Sequence, residues 1–440
     1  MADRSYLMVL PVVAYRVDGG HFATEGAFAD HLRLLRAKLG PEVSELVMAA
    51  PTMNVEDYTR IRSQLAVIDE AAEGIRFAPM FPNSLGRLAY LRRLPGILRR
   101  LRGEVRGAAV VHAGPSQLYR PFEIAALLMA AALGKKTISV TDIDERRSAE
   151  MKHKAGIWNA RQYRATNWLH DPYQHFQQSL LVRVCSLVLL KGQKLASDYG
   201  GGRPHVRNFL DAAYSADHII PADRLGKKLT DLADPNKPVK IAYVGRLVDY
   251  KGVDHMLLAL DHAKGLGLAN FHFHIIGSGE AEARLKQLMD ELDLGQNVTF
   301  HGHIPFGEPL FAAMLDFHIL LAAPLSEDTP RSALDAMASG QAVLAYDTYY
   351  YRELKDAGGG VDTVPWLDPQ SLGRRLIEVC ADRSRIAHLI ANGAEFAKGN
   401  TQEIWLDRRI QWTRELMESR QEPPQRLGAK SEPFIHGPQG

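Results

Sequence analysis

The chain has 440 residues, 46% of them hydrophobic and 24% charged, with a formal net charge of +2. That length supports two domains with substantial cores, and so small a net charge gives no reason to expect a nucleic-acid partner. The two cysteines, Cys185 and Cys380, both sit in apolar runs; this fits buried thiols in a reducing compartment better than a disulfide or metal framework, so cytoplasm is the expected location.

No apolar run approaches the length of a bilayer-crossing helix. The first segment, "SYLMVLPVVAY", could imitate the apolar core of a signal peptide. It lacks a positive leader and a small-residue cleavage site, and reads as a buried first strand. A Gly19-Gly20 loop follows, then a helix near "TEGAFADHLRLLRAKL". Further on come the strand "GAAVVHAG", the helix "PFEIAALLMAAALG", and the strands "KKTISVTDID" and "SLVLLKG". Strands separated by helices predict a doubly wound parallel sheet. The polar, proline-containing stretch "PADRLGKKLTDLADPNKPVK", from Pro221 to Lys240, reads as an interdomain connection. The alternation then restarts with "VKIAYVG", a helix after Val253, "FHFHIIGSG", a helix near "EAEARLKQLMDELDL", "NVTFHGHI", "DFHILLAAP" and "AVLAYD". A last helix, near "QEIWLDRRIQWTRELMESR", precedes a tail whose Pro, Gly and polar content predicts disorder.

Three stretches of the second half concentrate chemistry. "VGRLVDYKG" places Gly245 and Arg246 at a strand's carboxyl end and Lys251 in the following loop, and open α/β sheets bind ligands at that edge. A planar fork and a compact ammonium suit a diphosphate, although one Arg and one Lys alone are more often solvated surface. "IIGSGE" puts Gly277 and Gly279 at another strand end, where missing side chains permit close ligand approach. In "APLSEDTPRSALDAMASGQAVLAYD", Thr329 is expected to cap a helix with Pro330 in its first turn, and Gly340 to stop it. Backbone N–H groups from Thr329 through Pro330 and Arg331 to Ser332 then offer an anion site, with Glu327 at its mouth and Asp335 roughly two turns on. Acids near helix starts are common, so that pair alone would be structural more often than not.

Together, in this order, the three stretches resemble the retaining glycosyltransferases of the GT-B fold, the large family that includes sucrose synthases and bacterial mannosyltransferases. The likeness is dense from about residue 240 to 350 and thinner before. It implies an α/β chain of two Rossmann-like, doubly wound parallel-sheet domains facing a cleft. An acceptor-side domain spans 1–220 and a nucleotide-sugar-binding domain 221–400; a helix over 401–420 crosses back to the first domain, and 421–440 form the disordered tail. Carried over residue by residue, Arg246 and Lys251 grip the donor diphosphate and Glu327 contacts the donor sugar. Asp335 stands where the family usually has a Glu that binds the ribose hydroxyls, and His303 and Ile304 neighbour the base. The chain departs from the family at Asp335, one methylene shorter, and at Asp328-Thr329-Pro330, which changes the loop that meets the sugar. Asp142 stands where many relatives carry a His near the reacting centre.

In the first domain, Gly19 and Gly20 either close onto the donor phosphates or acceptor or form a bare turn. His112 faces the cleft or is a satisfied core histidine. Lys191 serves the acceptor side or is surface. "DID", at 142 to 144, has the spelling of a metal-binding pair but not its place, so no metal and no cofactor are expected. The segment "RRSAEMKHKAGIWNARQYRATNW" mixes cations with aromatics, as single-stranded nucleic-acid binders do, but within this fold reads as an acceptor-binding excursion. Residues 84–107 hold seven arginines, one acid and leucines at helical spacing. Two readings stay open there: a core helix with a solvated basic face, or peripheral attachment to an anionic membrane, which would place a lipid-linked acceptor at the inner face.

The resemblance implies sugar transfer from a nucleotide sugar to a glycan or lipid-linked glycan, in polysaccharide biosynthesis, with retention and without metal. A non-catalytic nucleotide-sugar-binding subunit and a nucleotide-sugar epimerase are the alternatives.

Overall fold

The computed structural model describes residues 5–418, so the tail expected over 421–440 lies outside the described residues. The chain divides into two compact units. One takes in the residues up to Asp142, Leu169–Phe209 and the chain from Leu406; the other takes in Ile143–Trp168 and Leu210–Trp405. The excursion that the sequence reading puts in the first domain thus groups with the second.

The first unit is built on a parallel seven-stranded sheet. Its strands run, edge to edge, Val206–Phe209, Leu187–Lys191, Lys136–Thr141, Ala108–Ala113, Ser5–Val9, Glu45–Thr52 and Ile75–Pro82. The central strand Ser5–Val9 is buried at all five positions, as the near-continuous apolar run of a strand covered on both faces requires. An antiparallel three-stranded sheet of Tyr15–Arg16, His21–Glu25 and Leu65–Asp69 lies beside it in sequence. The arginine-rich segment forms the helix Arg87–Gly107, which buries Tyr90, Ile97, Leu101 and Val105 and keeps Pro95 inside it. The last helix, Gln402–Glu418, joins this unit through Lys38–Asp407 and Arg414–Glu42 ion pairs.

The second unit carries a parallel six-stranded sheet in the order Val298–Gly302, Phe271–Ile276, Val239–Val244, Ile319–Ala322, Ala342–Tyr346, Val361–Val364. Chain order reverses between Val239–Val244 and Ile319–Ala322, so the crevice at a topological switch point opens at the carboxyl ends of those two strands. The stretch from Pro221, expected to be an irregular connection, is instead mostly the helix Ala222–Ala233. Its Leu225, Leu229 and Leu232 recur at helical spacing and pack on the core, a period that outweighs the polar composition. Its Lys228 is buried and donates to the carbonyls of Phe317, Ser339 and Gly340 at 3.0, 2.8 and 2.9 Å. Burial pulls that ammonium down to about 7. Three carbonyls at a strand start and a helix end receive donors they could not find in an apolar interior.

Both cysteines are buried free thiols, in separate units. Burial pushes each up to about 12. Among the described residues no helix is long and apolar enough to cross a membrane.

Candidate donor-binding site

Two loops meet at the switch point of the second sheet. After Val244 the chain makes Gly245, Arg246 and a short turn Asp249–Lys251; after Ala322 it runs through Glu327 to the helix Arg331–Ala338. Leu247 and Leu325 plug into the core at 0% and 3% exposure, each burial contributing about 2 kcal/mol. Those plugs fix the backbone on either side, and hence the bases of Arg246 and Glu327. The loops also bond directly, Leu325 N–H donating to the Tyr250 carbonyl at 2.8 Å. Gly252, at φ +64°, makes this approach possible, because a Cβ there would lie 1.9 Å from the Ala323 carbonyl oxygen.

The glycines of "IIGSGE" have a similar structural reason. A Cβ on Gly277, at φ +140°, would lie 1.9 Å from the Gly245 carbonyl oxygen, and one on Gly279 would lie 2.3 Å from that of Leu247. Whatever a ligand requires there, the missing side chains already serve to admit the neighbouring loop's backbone, which then carries Arg246. His303 is exposed and Ile304 half-buried, both just after the outermost strand, Val298–Gly302.

The cations are already partnered. Arg246 is exposed and donates to the Tyr250 hydroxyl at 2.8 Å, while Lys251 forms an ion pair with Asp328, the two side chains being 17% and 14% exposed. A small cavity is lined by Lys251, Asp328, Pro330 and Ser332 together with Tyr243 and Tyr351. The helix cap differs from expectation. Pro330 is itself the N-cap, with extended backbone at φ −68° and ψ 130°, and no side chain caps the helix. The proline's fixed φ serves the turn before the helix as well as the first turn inside it. Thr329, half-buried, and Arg331, exposed, flank it. Gly340 stops the helix at φ +67°, as expected.

The two acids sit in contrasting surroundings. Glu327 is 7% exposed and accepts from Arg147 Nε at 2.9 Å. Burial raises its carboxyl, while Arg147 and the Tyr350 N–H oppose the shift. Asp335, 5% exposed, has a buried Oδ1 with no hydrogen-bond partner. Burial pushes its carboxyl up to about 7, with Arg331 working against the rise and Asp211 adding to it. A buried carboxylate oxygen without a donor is costly, and a hydroxyl-bearing ligand is well suited to satisfy it.

Of the remaining residues singled out from sequence, Gly19, Gly20, His112, Asp142 and Lys191 belong to the first unit, while Asp144 groups with the second. Gly19 and Gly20 lie in the hairpin turn before His21–Glu25, where Asp18 accepts from the Gly20 and His21 N–H groups at 2.8 and 2.9 Å. That is an Asx turn with its own local cause. His112 is buried, with Nδ1 3.0 Å from the Tyr6 hydroxyl, and burial holds its ring well below the usual histidine range. This is the geometry of a satisfied core histidine. Lys191 ends a strand at 5% exposure, so it is no surface lysine. Asp142 is exposed after its strand. Asp144 spends its carboxylate as the N-cap of the helix Glu145–Lys154, accepting from the Arg146 and Arg147 N–H groups at 3.1 and 3.5 Å.

The parts played by Arg147, Asp328 and the tyrosines at 250 and 349 are not assigned by the sequence reading. Asp328 was visible only as a departure from a motif, and nothing local marks Arg147 as a partner of a residue 180 positions away.

Comparison with known proteins places these loops in context. The family model described as glycosyl transferases group 1 matches residues 227–396. WcaL of Salmonella typhimurium, described as a colanic acid biosynthesis glycosyltransferase, is 30% identical over 38% of this chain and 43% of its own length. The 2-deoxystreptamine glucosyltransferase of Streptomyces kanamyceticus is 31% identical over 33% of this chain and 35% of its own. The chain therefore spans less than half the length of these curated relatives. Among solved structures, Anabaena HepE in complex with UDP aligns with a TM-score of 0.63 at 15% identity, covering 93% of this chain and 99% of that one. Sucrose-phosphate synthase of Thermosynechococcus elongatus aligns at 0.65 and 16%, covering 94% and 99%. Likeness at such identity carries the fold, and the fold is GT-B. Residues 227–396 form a glycosyl transferases group 1 domain, set within a chain of two parallel-sheet α/β units.

Proposed function

We propose that the chain is a retaining, metal-independent glycosyltransferase that moves a sugar from a nucleotide donor to a glycan or lipid-linked glycan. The observation that carries the reading is the placing of Arg246, Lys251 and Glu327 on the two loops at the switch point of one sheet, with Asp335, whose buried Oδ1 has no partner, on the helix that follows the second loop. HepE, of the same fold, holds UDP and UDP-glucose in solved complexes, and a nucleotide sugar is the inferred donor here.

The difficult step is departure of the nucleoside diphosphate. Negative charge growing on its phosphate oxygens is met by Arg246, Lys251 and the first N–H groups of the helix Arg331–Ala338, with the phosphate taking the place of the Asp328 carboxylate against Lys251. Preorganised donors of this kind supply large catalytic effects. Glu327 accepts from the transferred sugar and Asp335 from the ribose, while His303 and Ile304 flank the base. Gly245, Gly277 and Gly279 shape the loops, and Thr329 to Ser332 line the phosphate mouth. On the acceptor side, Asp142 and Lys191 are assigned to the first domain, of 1–220. Turnover of a nucleotide sugar that persists undiminished in excess EDTA is the expected result. Loss of turnover, restored by a divalent cation, removes metal independence; nucleotide binding without transfer across a broad acceptor panel favours a binding subunit.

The location inferred with this activity is the inner face of the cytoplasmic membrane. Arg92, Arg93, Arg99 and Arg102 are exposed on the helix Arg87–Gly107, beside Leu88 and Leu91 at 66% and 50% exposure. Cations flanking exposed leucines suit anionic headgroups over acyl chains. The protein is expected to sediment with phosphatidylglycerol vesicles at low ionic strength and to be released at about 1 M salt, where screening is nearly complete. Equal sedimentation after Arg92→Glu, Arg93→Glu, Arg99→Glu and Arg102→Glu together would remove this surface from the proposal.

A further inference from the structure

We infer that Arg147 is the positioning residue for Glu327, aiming that acid so that it accepts hydroxyl hydrogen bonds from the transferred sugar; this rests on the donor-site reading of Glu327 given above. Arg147 lies on the helix Glu145–Lys154, which the chain contributes from between two segments of the first unit. The Asp144 cap fixes the start of that helix and so the direction in which Arg147 leaves it. Its Nε donates to Glu327 Oε2 at 2.9 Å, and its guanidinium carbon stands 3.7 Å from the centre of the Tyr349 ring. An arginine held at its Nε and at its flat face has few alternative rotamers, and its partner carboxylate inherits that order.

The pairing decides the state of Glu327 because the acid is nearly enclosed, with a side chain 8% exposed against 33% for Arg147. The groups that bear on it are Arg147 and the Tyr350 N–H, which favour the carboxylate, and Asp144, which opposes it. Lys251 is engaged by Asp328 instead. Arg147 is thus the cation that offsets burial. The same helix also reaches the diphosphate side, where Lys152 Nζ lies 5.4 Å from the centre of the Tyr250 ring whose hydroxyl accepts from Arg246.

The test separates the sugar from the nucleotide. Calorimetry on the full chain and on Arg147→Met and Arg147→Lys measures binding of UDP, GDP, ADP and dTDP, and of each carrying glucose or mannose. For the best-bound nucleotide, Arg147→Met is expected to leave the bare diphosphate affinity within about twofold while losing roughly 10- to 100-fold in nucleotide-sugar affinity, with Lys recovering part. The acid limb of nucleotide-sugar binding moves to higher pH in the Met variant, because only the Tyr350 N–H is then left to oppose burial. An equal gain from the sugar in wild type and Met variant, with an unmoved acid limb, overturns the role of Arg147 alone. Failure of the wild type to bind any of the four nucleotides overturns the donor-site reading and this inference with it. Should the Met variant misfold and lose bare-nucleotide binding too, the Lys variant decides by the same two readouts, since it keeps the charge and loses the fork.

Discussion

Lys251→Ala lowers turnover by about 10²- to 10³-fold, the loss typical when one preorganised donor to developing charge is removed. In the proposed complex Lys251 faces the departing diphosphate, so the loss falls mainly on kcat. The same substitution strands Asp328, a carboxylate 14% exposed whose ion-pair partner is Lys251. Leaving a nearly buried charge unpaired costs about 2 kcal/mol, and the unfolding temperature falls by roughly 5 °C. These two consequences separate in a second variant. Lys251→Ala with Asp328→Asn removes the stranded charge, so thermal stability returns toward that of the wild type while turnover stays low. Recovery of turnover in the double variant would mean that Lys251 acts only by neutralising Asp328, and the leaving-group role would be lost.

Asp335→Asn is expected to make the protein more stable and a poorer nucleotide binder. The folded-state carboxyl titrates at about 7, above the ordinary aspartate value near 4. Between those pH values the folded protein holds a proton that the unfolded chain has lost, so this group makes stability fall as pH rises from about 4 to about 7, and remain at that lower level above it. The amide carries no such penalty. At pH 8 the variant gains about 2 kcal/mol, a figure below the full linkage value because the amide's own donors need partners. At pH 5 most of that fall has yet to occur, so the gain of the variant is much smaller, and it is absent only below about pH 4, where the unfolded carboxyl is protonated too. Nucleotide affinity moves the other way, falling roughly 10- to 100-fold at pH 8 as ribose hydroxyls lose a charged acceptor. Thermal melts at the two pH values and calorimetry with the best-bound nucleoside diphosphate check both halves. A variant no more stable at pH 8 than the wild type would refute the buried charge, and one that binds nucleotide equally well would remove Asp335 from the ribose.

Much of the second unit was legible in the sequence because its information is local. The apolar strands, the short loops after them and the stop at Gly340 each declare themselves within a few residues, and a parallel sheet leaves few ways to arrange their carboxyl ends. Arg246, Lys251 and Glu327 are singled out by their position in that pattern. What escaped notice is what depends on tertiary pairing. Asp328 meets Lys251 across 77 residues and Arg147 meets Glu327 across 180, and no periodicity encodes such distances. The strands Glu45–Thr52 and Ile75–Pro82, both in the first sheet, also went unassigned, each carrying an internal proline that blurs the strand signal. At Thr329 a favourable cap residue lost to the proline beside it. In the stretch from Pro221 composition suggested a linker, while three leucines at helical spacing decided otherwise.

The discontinuous make-up of the second unit bears on modular engineering. A chimaera that grafts the contiguous block 210–405 onto another relative's N-terminal half would import every loop of the glycosyl transferases group 1 domain and leave Arg147 behind. The graft would carry Glu327 without its counter-ion, so compatibility between swapped halves turns on whether the recipient's own sequence, in the region corresponding to 143–168, presents a cation to that carboxylate.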